Sequence, residues 1–204
     1  MVITGVVGEI EIRKGKCFSE EGENKALLII AHPHPLYQGT MNNKVVTTIE
    51  RAAAQAQVAT LCFNFRGVGK TQGEYDQGQG EVEDVLQIIA WAKGLGFSEF
   101  LLAGFSFGAY VMMQVQQRTA IKQLMTVAPP VGLYDFSTLT QAADTEQWSM
   151  VVAGQDEVVS VAEILDWYRA LEQKPDLLVR EQASHFFHGQ LIWLRQQVQF
   201  WLTQ

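Results

Sequence analysis

The segment EFLLAGFSFGAYVMMQVQQ, residues 99–117, decides the fold. It opens with a continuous apolar run, as expected of a strand buried on both faces, and closes on a stretch that reads as a helix. Between the two lies GFSFG, which sets Gly104 and Gly108 two residues either side of Ser106. The reason for that spacing is steric. A serine on a very tight strand-to-helix turn needs small residues two before and two after it, so that strand and helix can approach closely. The turn exposes the hydroxyl beside a helix N-terminus, whose free N–H groups favour developing negative charge. Ser106 is therefore a candidate nucleophile. The competing reading is a serine that merely caps a helix entered through a glycine turn.

The same alternation extends along the whole chain. Residues 2–13 read as one strand, and SEEGENK as the turn after it. ALLIIAH, at 26–32, is another buried strand. Thr40 is the expected N-cap of a helix with Met41, Val45, Val46, Ile49, Ala52 and Ala53 on one face. VATLCFNF (58–65) is a strand, GEVEDVLQIIAWAKGLG a helix, IKQLMTVAP and SMVVAGQ strands, and VAEILDWYRALEQ a helix. PDLLVREQ is the last strand and HGQLIWLRQQVQFWLTQ the closing helix, with His188 placed to start it. Strands alternating with helices imply a parallel sheet in an α/β layered fold. Ligands of such sheets bind beyond the carboxyl ends of the strands.

Length and composition limit the possibilities. The 204 residues suggest a single domain spanning 1–204. With 48% hydrophobic and 18% charged residues the chain should fold around a real core. A net charge of -7 leaves no basic footprint, so neither nucleic acid nor a membrane is an expected partner. The N-terminal stretch lacks the features of a signal peptide, and no apolar run approaches the ~18 residues of a membrane span. Cys17 and Cys62 are expected as solitary thiols. A cytoplasmic protein is the default expectation.

Five stretches, AHPHPLYQGTMNNKVV, FNFRGVGKTQGEYD, GFSFG, AGQDEVV and ASHFFHG, together resemble the α/β-hydrolase superfamily. The chain is most similar to small serine hydrolases related to dienelactone hydrolase. The resemblance covers nearly the whole chain and implies a three-layer α/β-hydrolase fold. In that fold an acid and then a histidine follow the nucleophile along the chain. Only His185 and His188 follow Ser106, and His185 sits closer to the last strand. Asp156 follows a strand directly; Asp135 lies one strand earlier, and Glu157 should point elsewhere. The resemblance thus implies Ser106 as nucleophile, Asp156 as acid and His185 as base. Dienelactone hydrolases carry cysteine at the elbow, so their substrate does not transfer to a chain with Ser106.

The resemblance also gives the loop after ALLIIA part of an oxyanion hole, the other donor being the Phe107 N–H. Pro33 and Pro35 have no N–H, which leaves Leu36 or His34, Leu36 narrowly ahead, and then Tyr37. His32 and His34 stand at metal-ligand spacing, but the other two histidines fit the serine site. No metal or other cofactor is expected, and the two side chains should brace the loop. GVGKT imitates a phosphate-binding loop but has Asn64 where the motif needs glycine; the resemblance makes it a loop bordering the pocket. Arg66 should tie loops together. The interval from Pro129 to Trp148 is too short for a large lid. The pocket should be bordered by Leu36, Tyr37, Val131, Leu133, Tyr134 and Phe187. The expected function is hydrolysis of a carboxylic ester or related acyl bond of a small-molecule substrate. The alternative is a non-catalytic module of the same fold that binds a small molecule or a protein.

Overall fold

The computed structural model describes residues 1–19, 25–139 and 145–204. The strands are β1 (Val2–Thr4), β2 (Glu9–Lys14), β3 (Ala26–Ala31), β4 (Ala59–Phe63), β5 (Glu99–Phe105), β6 (Gln123–Val127), β7 (Gln147–Ala153) and β8 (Asp176–Arg180). The helices are α1 (Lys44–Gln55), α2 (Gln79–Gly94), α3 (Phe107–Gln116), α4 (Val161–Ala170) and α5 (Leu191–Leu202). One sheet runs in the order β1-β2-β4-β3-β5-β6-β7-β8. β2 is antiparallel to both β1 and β4, and every other pairing is parallel.

Side-chain alternation splits the core into two layers. In β3, Leu27, Ile29 and Ala31 face the layer that contains Val85 and Ile88 of α2, Val111 and Met112 of α3 and Ile164 of α4. Leu28 and Ile30 face the layer that contains Val45, Val46 and Ile49 of α1 and Leu194, Val198 and Trp201 of α5. Helices on both faces explain why β3 and most of β5 read as continuous apolar runs rather than alternating ones. Truncating Ile29 to alanine in such a core costs about 2–5 kcal/mol.

Three local expectations are corrected. Residues 2–13 form two strands rather than one, because the Gly5 N–H donates to Gly8 O and turns the chain back into a hairpin. The N-cap of α1 is Asn43, whose side chain accepts from the Val45 N–H, and not Thr40. Helix α5 begins at Leu191 with Gln190 as its cap, so His188 lies outside it. Residues 20–24 of the expected SEEGENK turn lie outside the described residues, as do 140–144 of the interval between β6 and β7. Within the described part of that interval there is no helix.

Candidate active site

Ser106 occupies the junction of β5 and α3 with φ 53° and ψ -121°. A non-glycine residue at positive φ is strained by roughly 1–3 kcal/mol and persists only where its surroundings enforce it. Here they do. The Ser106 N–H donates to Val127 O at 2.8 Å, and its own carbonyl accepts from Ala109 N–H at 2.8 Å. The two flanking glycines are required by contact. A Cβ on Gly104 would stand 2.3 Å from Gly108 O, and one on Gly108 would stand 2.6 Å from Ala31 O.

His185 arrives from the loop after β8. Its Nε2 lies 3.1 Å from Ser106 Oγ, and its Nδ1 lies 2.7 Å from Asp156 Oδ2. A carboxylate only accepts, so Nδ1–H donates to Asp156, which leaves Nε2 as the acceptor for the serine hydroxyl. The Asp156 and His185 side chains are 1% and 3% exposed. Asp156 is itself held by its other oxygen, Oδ1, which accepts from Val158 and Val159 N–H at 2.9 and 2.8 Å. Phe105 and Phe186 pack against the His185 ring. The structure thus brings Ser106, His185 and Asp156 into one hydrogen-bonded line.

Two neighbours of that line escaped the sequence reading. Glu157 points away from the imidazole, as expected, but its Oε2 accepts from the His185 backbone N–H at 3.0 Å and so fixes the histidine loop. Gly154 lets the ends of β7 and β8 meet: a Cβ there would stand 2.5 Å from Glu181 Cα. Gly154 and Gln155 N–H donate to Arg180 and Ala183 carbonyls across that contact. A glycine just before an acid at a strand end was the available signal. Asp135 is not part of the site. It is exposed, and hydrogen bonding from the Ser137 side chain, with that from the Ser137 N–H, holds its carboxyl below the usual range.

The loop after β3 is braced by its histidines. Buried His32 donates from Nδ1 to Pro33 O at 2.6 Å and accepts at Nε2 from Phe65 N–H at 2.9 Å. Burial pushes its pKa down to about 4, so the ring is neutral. His34 lies among Tyr37, Tyr75, Phe107 and Tyr134, and its Nδ1 accepts from the Leu36 N–H at 3.2 Å. Partial burial lowers its pKa as well. The Leu36 N–H is therefore engaged and its side chain is exposed, which corrects Leu36 as the preferred donor. Tyr37 N–H donates to His34 O. Among the described residues, no group accepts from the N–H of His34 or of Phe107. Gly39 closes the loop tightly, because a Cβ there would stand 2.1 Å from Pro33 O.

A cavity of about 510 Å³ opens above Ser106 and His185. Its walls include Pro33, His34, Tyr37, Gln38, Asn43, Val158 and Phe186. Of the expected border, Tyr37 is in place. Leu36, Val131, Leu133, Tyr134 and Phe187 do not line it. Phe187 turns inward at φ 53° and is fully buried, which leaves its neighbour Phe186 at the cavity. Tyr134 instead stacks on Tyr110 and meets the Tyr75 hydroxyl at 3.2 Å. The GVGKT segment does not reach the cavity either; Lys70 N–H donates to Glu11 on β2. Arg66 ties its loop to helix α2 rather than to another loop, through two 2.9 Å hydrogen bonds to Asp84.

Relatives share this frame. Residues 23–203 match the family model for X-Pro dipeptidyl-peptidase (S15 family). An uncharacterized Rickettsia prowazekii (strain Madrid E) protein, RP471, is 35% identical over 90% of this chain and 79% of its own length. The solved structure of an α/β serine hydrolase homologue from Coxiella burnetii is 42% identical, with a TM-score of 0.89 over 98% of this chain and 95% of that one. XC6422 from Xanthomonas campestris, an α/β serine hydrolase without a lid, is 33% identical, with a TM-score of 0.92 over 100% and 92% of the two chains. With the family model matched over most of its length and these relatives sharing its fold, the chain belongs to the S15 family within the α/β serine hydrolase superfamily.

Proposed function

We infer that the protein hydrolyses a carboxylic ester or related acyl bond of a small substrate, with Ser106, His185 and Asp156 as its catalytic residues. The observation that carries this reading is the hydrogen-bonded line from Asp156 through His185 to Ser106, at the floor of an accessible cavity. Ser106 Oγ attacks the acyl carbon while its proton passes to His185 Nε2. Phe107 and His34 N–H groups receive the oxyanion, each such donor being worth roughly 3 kcal/mol of barrier. As the tetrahedral adduct collapses, the bond from carbon to the leaving oxygen breaks, and that oxygen takes the proton from His185. Water then attacks the acyl-serine, again losing its proton to His185, and releases the acid and free Ser106. Asp156 keeps Nδ1 protonated throughout, and so keeps Nε2 a base.

The experiment combines labelling with a fluorophosphonate probe and turnover of p-nitrophenyl butyrate. The wild type should show both, and Ser106→Ala should lose both. Retention of turnover by Ser106→Ala, or failure of the wild type in both assays, overturns the reading.

A further inference from the structure

The cavity above Ser106 continues past Phe186. It shares Gln38, Asn43 and Phe186 with an adjoining groove of about 430 Å³ that is completed by Thr40, Asn42, Lys44 and His188. The two halves differ in chemistry. Tyr37, Val158 and Phe186 make the first half largely apolar. In the second half three side-chain oxygens already accept hydrogen bonds. Asn42 Oδ1 accepts from the Arg13 guanidinium at 2.6 Å, Asn43 Oδ1 from the Val45 N–H at 2.8 Å, and Thr40 Oγ1 from the Asn42 N–H at 3.2 Å. An amide whose oxygen already accepts one hydrogen bond still has both of its NH₂ donors to offer. The groove therefore offers the amide donors of Gln38, Asn42 and Asn43, the Thr40 hydroxyl, the Lys44 ammonium and the His188 imidazole. Lys44 has no ion pair among the described residues, and no aspartate or glutamate lines either half. In a chain of net charge -7, this run of donors opposes the overall field.

Building on the hydrolase reading, we propose that the substrate is an ester with two unlike ends. Its apolar part fills the Ser106 cavity, and its other part carries an anionic, oxygen-rich group, a carboxylate or a phosphate, into the groove between Lys44 and His188. The same groove discriminates against a substrate with a free N-terminal ammonium. Such a cation would meet Lys44 without a carboxylate to pair with, and like-charge placement is an effective means of rejection. The substrate class named by the family description is thus not the one this pocket fits.

The test compares kcat/KM for glyceryl monobutyrate, glycerol-3-phosphate monobutyrate and O-butyryl glycolate, with Gly-Pro-p-nitroanilide as the ammonium-bearing probe. At low salt one of the charged esters should exceed the neutral one by about tenfold, and the better of the two assigns the head group. That advantage should shrink several-fold in about 0.5 M NaCl and reverse in Lys44→Glu. The salt series needs no variant, so it decides the matter even if Lys44→Glu fails to fold. Gly-Pro-p-nitroanilide should not be cleaved. If both charged esters are no better than the neutral ester, or if the dipeptide probe is turned over comparably, the inference falls and the hydrolase reading survives. If none of these probes is turned over while p-nitrophenyl butyrate is, the inference falls alone; if the wild type also fails with p-nitrophenyl butyrate and the fluorophosphonate probe, both fall.

Discussion

Two loops at the carboxyl end of the sheet each carry a pair of histidines, His32 and His34 after β3, His185 and His188 after β8. In both loops the first ring is buried, at 0% exposure for His32 and 2% for His185. Burial alone therefore does not separate them. Their partners do. His32 bonds at both nitrogens to main-chain groups, Pro33 O and Phe65 N–H. His185 bonds to a carboxylate and a hydroxyl. A peptide N–H does not give up its proton near neutral pH, whereas a hydroxyl activated by attack does. The first ring can only hold a shape; the second can pass a proton.

Substitutions in the two loops should therefore fail in different ways. The largest effect is expected from His185→Ala. Its kcat on p-nitrophenyl butyrate should fall by roughly 10³-fold or more, with little change in the urea midpoint. A loss of stability comparable to that of a His32 variant would break the contrast.

His32 should show itself in stability. Its folded pKa lies near 4, below the ordinary 6.5, so the folded state binds the proton less well than the unfolded chain does. The resulting stability is present above about pH 6.5 and is lost as the pH falls toward 4, by about 3 kcal/mol in all. Urea unfolding of the wild type across that window should show the slope. His32→Asn should lack that component, and an equal slope in the variant would refute the assignment.

The smallest effect belongs to His34. His34→Ala removes the acceptor that holds the Leu36 N–H, a bond of about 1 kcal/mol, so kcat/KM should drop several-fold. His34→Asn offers an oxygen to the N–H two residues on and should recover most of that loss. If alanine and asparagine behave alike, the ring is not acting through Leu36.

What the sequence disclosed, and what it withheld, follows physical scale. β3, β4 and β5 were legible because strands buried on both faces need long apolar runs. GFSFG was legible because Gly104 and Gly108 answer to backbone atoms within 3 Å of any Cβ. Asp156 and His185 could be named because topology puts the ends of neighbouring parallel strands side by side. The misses depend on single torsions. Leu36 lost its N–H to the ring of His34, two residues before it. Phe186 and Phe187 are identical in type, and only the positive φ of Phe187 decides which one enters the core. Thr40 and Asn43 are both good caps, and nothing in their composition says which one the helix begins beside.

The proposed base, His185, follows β8, the outermost parallel strand, which pairs with β7 alone and leaves Val179 42% exposed. Edge strands open at lower free energy than the middle of a sheet. Local fraying of β8 would carry His185 away from Ser106 while β3, β5 and β6 stay paired. On the proposed mechanism the chemistry would hang on the parallel strand at the sheet's edge, so heat should silence it before it unfolds the core.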